Sequence, residues 1–204
     1  SGLPNWQMGM PNAINPSWET AIDTVLAEVG KENADAILVG GDLVEGHWEV
    51  DSDNLEMYGP LNTFEEKQKA TIVASDLFYS QWKQRFESRN LPPVYCALGD
   101  HEIGDNRGGG GDPNAQWPVD NFRYQNLDTY KAQFGKHFVD HFDNRPVGTN
   151  SEHTAYAVTL PGNTLLIVVD VFTKHDGGVC LGPKAAQLKW VEDQLIYSRN
   201  NFPQ

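Results

Sequence analysis

Two stretches decide how this chain folds: AILVGGDLVEG at residues 36–46 and PVYCALGDHE at residues 93–102. In each, an uninterrupted apolar run ends at glycine and is followed by Asp42 or by the pair Asp100-His101. A short apolar run bounded by glycine suits a strand buried on both faces. Open α/β sheets bind ligands beyond the carboxyl ends of their strands. Glycine ahead of each polar residue allows a tight turn and close backbone approach. The two segments are therefore expected to bring two carboxylates and an imidazole to one sheet edge. That donor set suits a hard divalent cation with mixed oxygen and nitrogen ligands. Asp after Gly at a strand end is also ordinary turn chemistry, and these residues alone leave both readings open.

Outward from these stretches the chain alternates helix and strand. Residues 17–30 carry Trp18, Ala21, Ile22, Val25, Leu26 and Val29 at helical spacing, with Ser17 to cap the start and Gly30 near the end. A long polar, aromatic loop runs from Asp42 to about Asn62. Thr63 and Glu66 then form a capping-box pattern ahead of a long helix reaching residue 86 or 87, with Ile72, Val73, Leu77 and Phe78 in its apolar stripe. Val94 to Leu98 is the second strand. Residues 99–122, with glycines at 104 and 108–111, read as a surface or active-site loop. A weaker helix pattern covers 127–138. Ala155–Thr159 and Leu165–Val171 read as a hairpin around Pro161-Gly162-Asn163. Pro183 opens a last helix with Leu188, Val191, Leu195 and Ile196 expected on its inner face. Apolar strands alternating with helices indicate a layered α/β fold, and the hairpin makes its sheets mixed.

With 204 residues, 39% of them hydrophobic, the chain has material for one full core and too little for two ordinary domains. Fifteen Lys and Arg against 28 Asp and Glu give a net charge of −13, which argues against a broad nucleic-acid surface or an anionic membrane as partner. Phosphorylated substrates stay compatible with such a chain when cations sit in the site. No window has the length of a membrane-spanning helix, and the start has no signal-peptide pattern. The compartment is undetermined; the expectation is a soluble protein, secreted or periplasmic if a signal peptide was removed. Cys96, within an apolar run, reads as a buried small hydrophobe. Cys180 follows a glycine pair, and the two cysteines make no disulfide scaffold.

His101 is the best placed of the six histidines. His47 shares the loop after Asp42, and His175 follows the strongest strand, so both are accessory candidates. Glu45 and Glu102 are candidates for supporting the ligands or starting a helix, with Glu45 equally readable as a solvated loop residue. His137 and His141 stand one helical turn apart but lack the acidic residue of an HExxH motif; they read as helix-end residues. Asp170, inside LLIVVDVF, must be paired or hydrogen-bonded, and reads as a satisfied structural acid. There is no phosphate-loop, dinucleotide or nucleophile-elbow motif.

The segments VGGDLVEG and LGDHE resemble two blocks of the calcineurin-like metallophosphoesterases, G-D-x-x-(D/E) and G-N-H-(D/E), each placed after a strand. LLIVVDVF with GPKAAQLKWVEDQL is similar to a later strand and helix of that family, so the resemblance covers roughly residues 18–200. It implies a layered α/β/β/α sandwich with mixed sheets and a centre of two divalent ions, drawn from Mn, Fe, Zn or Ni. It implies that Asp42 bridges the two metals, that Asp100 stands in the place of an asparagine ligand, and that His101 contacts the phosphoryl group and protonates the leaving oxygen. A metal-bound hydroxide would attack phosphorus, on a phosphomonoester or a phosphodiester.

The family's D-x-H and G-H-x-H blocks do not occur in the sequence. Residues 1–204 are therefore expected to be one metallophosphoesterase-like domain, incomplete at both ends and a fragment of a longer chain. A complementary segment or subunit is expected to complete its sheet. Hydrolysis is expected of the full-length family member and is uncertain for this chain alone. The alternative is a catalytically degenerate domain that binds a protein or glycan through aromatic, acidic loops carrying Trp48, Tyr58 and Trp117.

Overall fold

The computed structural model describes residues 16–49, 56–89, 91–104, 122–175 and 178–201. The lead-in before residue 16, the glycine run 108–111 and Trp117 lie outside these residues. The order is α1 (Pro16–Val29), β1 (Ile37–Val39), α2 (Phe64–Glu87), β2 (Val94–Cys96), α3 (Phe122–Phe138), β3 (Tyr156–Leu160), β4 (Thr164–Val168), β5 (Phe172–His175), β6 (Gly178–Leu181) and α4 (Ala185–Asn201).

The expected capping box starts α2. The Thr63 hydroxyl accepts the Glu66 N–H at 3.2 Å, and the Glu66 carboxylate accepts the Thr63 N–H at 3.0 Å. A crossover through α2 makes β1 and β2 parallel, with Ile37 opposite Val94 and Val39 opposite Cys96. β3 and β4 pair antiparallel, as expected, around a turn in which Gly162 and Asn163 both have positive φ. A second antiparallel hairpin, β5–β6, follows at once, with Phe172 opposite Leu181. The arrangement is a layered α/β/β/α fold with mixed parallel and antiparallel pairing, and the described strands form no closed barrel.

The core forms where α2 meets α3. Ala70, Thr71, Ala74 and Ser75 of α2 are buried, and their small size lets the aromatic rings of the interface close up. Tyr79 sits edge-on to Phe134 at 5.9 Å and to Phe138 at 5.4 Å. Cys96 is buried as expected, and burial pushes its thiol up to about 12. The Tyr156 hydroxyl donates to the Cys96 carbonyl at 2.9 Å and ties β3 to β2.

Several expected inner faces are corrected. Ile72 and Val73 are exposed because α2 turns Ala70, Thr71, Ala74 and Ser75 toward α3 instead. Trp18 and Val25 of α1 are exposed, and so are Leu188, Leu195 and Ile196 of α4, whose one buried residue is Gln187. Leu38 of β1 is 61% exposed, so this strand is not covered on both faces among the described residues. No helix among them is long and apolar enough to cross a membrane.

Candidate metal centre

Past the end of β1 the chain turns sharply. Gly41 has φ 102° and Asp42 has φ 60°, a left-handed conformation uncommon for a residue with a side chain. Past the end of β2, Ala97–Gly99 leads into Asp100 and a single 3-10 turn, His101–Ile103. The two loops touch through glycine. A Cβ on Gly41 would lie 2.5 Å from the Gly99 nitrogen, and one on Gly99 would lie 2.2 Å from Asp42 Oδ1. These contacts account for the glycine ahead of each acid.

This approach brings Asp42, Asp100 and His101 together. One donor atom from each lies within 4.8 Å of the others, with Asp42 exposed and the other two half-buried. Two carboxylate oxygens and an imidazole nitrogen fit a single hard or borderline divalent cation. Among the described residues no other group of three such side chains assembles, so the donors there fit one cation and not two complete sites.

The accessory candidates divide. The Glu45 carboxylate lies 3.2 Å from His101 Nδ1, within reach to orient the ring. Glu102 is fully buried. Its Oε2 accepts the N–H of Asp42 at 2.9 Å and of Gly99 at 2.7 Å, while Oε1 accepts the N–H of Leu43 at 2.6 Å. Burial pushes this carboxyl up, and the three backbone N–H groups oppose the shift. His47 is buried and lies outside the three-residue group. His175 ends β5 opposite Gly178.

The remaining histidines and Asp170 have structural partners. His137 Nε2 lies 2.9 Å from Asp76 across the α2–α3 interface, and the His141 ring lies tilted against Phe142, with centroids 4.0 Å apart. Asp170 is fully satisfied, as expected. It takes Lys131 Nζ at 2.5 Å, the Thr154 hydroxyl at 2.6 Å and the Phe172 N–H at 2.8 Å.

Sequence reasoning missed what anchors the loop after Asp42. Trp48, expected as a loop contact for partners, is buried against Phe78 and Tyr130. Glu49 is buried too; it accepts from Arg123 Nε at 2.7 Å and from the Tyr130 hydroxyl at 3.2 Å. Trp82 Nε1 donates to the Leu43 carbonyl at 2.7 Å. Glu49 and Arg123 are 74 residues apart, and no local pattern links them.

A family model described as calcineurin-like phosphoesterase matches residues 16–201. No curated protein and no solved structure matches the chain.

Proposed function

This chain belongs to the calcineurin-like phosphoesterase family, and from that premise we propose that it binds a phosphorylated ligand through one divalent cation held by Asp42, Asp100 and His101. The observation that carries this reading is the convergence of three donor atoms within 4.8 Å beyond the ends of β1 and β2. A cation bound there supplies positive charge toward a phosphoryl oxygen. Without one, a chain of net charge −13 repels such a ligand. The mixed oxygen and nitrogen donors admit Mn, Fe, Zn or Ni. The ligand class is a phosphorylated small molecule or a phosphodiester. One cation and three donors support binding ahead of turnover. The exposed Leu38 of β1 and Leu195 of α4 support a further part of this reading, in which another segment or a protein partner covers these faces.

Hydrolysis is the second reading, favoured by Glu45 beside His101. A carboxylate on Nδ1 fixes the orientation of an imidazole. In that reading Asp42 and Asp100 hold the cation, water attacks phosphorus and releases a proton to solvent, the bond from phosphorus to the leaving oxygen breaks, and His101 gives that oxygen the proton of Nε2, the ring nitrogen turned away from Glu45.

Titration of Mn²⁺ into the chain, followed by electron paramagnetic resonance, tests the cation. One ion per chain is expected, with at least tenfold weaker binding in Asp42→Asn. The same protein is then given p-nitrophenyl phosphate and bis-p-nitrophenyl phosphate. Ligand binding without turnover supports the binding reading. Turnover that disappears in Asp42→Asn and His101→Ala moves the assignment to hydrolysis. Absence of Mn²⁺ binding overturns both.

A further inference from the structure

We propose that Glu102 is a positioning residue that makes one cation site out of two separate loops. The inference rests on the cation reading of Asp42, Asp100 and His101 above. The side chain leaves the 3-10 turn directly after His101 and folds back beneath the two loops. A single oxygen, Oε2, accepts one hydrogen bond from each: Asp42 N–H at 2.9 Å from the loop after β1, and Gly99 N–H at 2.7 Å from the loop after β2. Its other oxygen takes Leu43 N–H at 2.6 Å. One buried carboxylate thus touches the backbone of Asp42, the residue before Asp100, and is itself bonded in sequence to His101.

The placement of these bonds separates positioning from a purely structural role. The β1–β2 ladder closes on its own groups, with Ile37 N–H to the Pro93 carbonyl at 2.9 Å and Ala97 N–H to the Val39 carbonyl at 2.8 Å. Glu102 acts beyond that ladder, where Asp42 adopts φ 60°. A residue with a side chain in this conformation persists when its surroundings hold it, and the Oε2 contact holds the N–H of that same residue. The neighbouring glycine is part of the device: a Cβ on Gly99 would lie 2.7 Å from Glu102 Oε2. Both oxygens of Glu102 are used by backbone donors, so it serves the cation through Asp42 and not as a ligand. Three N–H donors require an acceptor at both oxygens. A carboxylate provides that; an amide turns one N–H₂ donor toward an N–H group.

The test is Mn²⁺ affinity, by electron paramagnetic resonance, of the whole chain and its Glu102→Gln and Asp170→Asn variants, with circular dichroism and thermal melting on the same samples. Groups that orient metal ligands change affinity by about 10- to 100-fold when removed. Glu102→Gln is expected to bind Mn²⁺ at least tenfold more weakly while keeping native circular dichroism. Asp170→Asn removes a buried carboxylate elsewhere, and is expected to melt lower with affinity unchanged. If the unaltered chain binds no Mn²⁺, the cation reading itself falls and takes this inference with it. If it binds and Glu102→Gln binds equally well, this inference alone is overturned. Should affinity fall alike in Glu102→Gln and Asp170→Asn, the effect is one of general stability, and the inference again fails. If Glu102→Gln does not fold, Glu102→Asp, which keeps the acceptors with a shorter reach, is read in its place. Failure of both to fold makes Glu102 a folding residue and overturns the proposal.

Discussion

At Gly99 the two acidic loops leave no room for a side chain. A methyl group there meets Asp42 Oδ1 at 2.2 Å and the Asp42 nitrogen at 2.7 Å, so one loop has to move. Overpacking of this kind costs about 1–3 kcal/mol. Gly99→Ala is expected to lose that much stability in urea denaturation and to weaken Mn²⁺ binding as well, because the displaced group is the proposed ligand. A loss of stability with Mn²⁺ affinity intact would separate the loop contact from the site.

At the scale of elements, α2 is set at its start by a cap and along its length by α3. Thr63→Ala removes the hydroxyl that accepts the Glu66 N–H, with an expected loss of about 1 kcal/mol, readable from the midpoint of urea unfolding. The α2–α3 contact also carries a pH dependence. Burial holds the His137 imidazole below the ordinary 6.5, and outweighs the opposing pull of Asp76. As pH falls below 6.5 the unfolded chain takes up this proton before the folded one, so the contribution present above that pH is lost. Asp76 is held below its ordinary 3.8, chiefly by its hydrogen bond from Lys136, so its contribution is lost only at lower pH as the folded carboxyl itself protonates. The melting temperature is expected to fall between pH 7 and pH 5, and to fall less in His137→Gln. An equal slope in both proteins would assign the acid sensitivity to other groups.

Across the whole molecule, Asp170 joins elements distant in sequence. Lys131 reaches it from α3 and also donates to the Phe172 carbonyl of β5 at 2.5 Å. From α4, Gln187 accepts the Asp170 N–H and donates to its carbonyl, both at 2.6 Å. The Lys131 and Asp170 side chains are almost fully withdrawn from water. Removing one partner of such a pair leaves a buried charge uncompensated and costs about 3–5 kcal/mol. Lys131→Met is expected to lose that much in denaturant unfolding while the Asp42, Asp100 and His101 group keeps its Mn²⁺ affinity. A change of less than about 1 kcal/mol, the range of an exposed pair, would show that the bridge is not held dry in solution.

The order of the first strands and helices, the α2 cap, the β3–β4 hairpin and the positions of Asp42, Asp100 and His101 were legible in the sequence. Each is written in local signals: apolar runs ended by glycine, a Thr and a Glu three residues apart, a Pro-Gly-Asn turn. The start of α3 lay at Phe122, five residues before the pattern becomes periodic, because its first turn is fastened by tertiary contacts such as Arg123 with Glu49. The buried face of α2 was also beyond local reading. Only the packed partner shows that Ala70, Thr71, Ala74 and Ser75 turn inward and that Ile72 and Val73 do not. For the candidate site, sequence determined which groups could meet, while tertiary structure decided how they are held. Glu102 and Asp42 are 60 residues apart, and a hydrogen bond across that separation exists only once β1 and β2 lie side by side. Residue types and local spacing can specify donors and turns; the closure of two loops onto one buried carboxylate is a property of the folded chain.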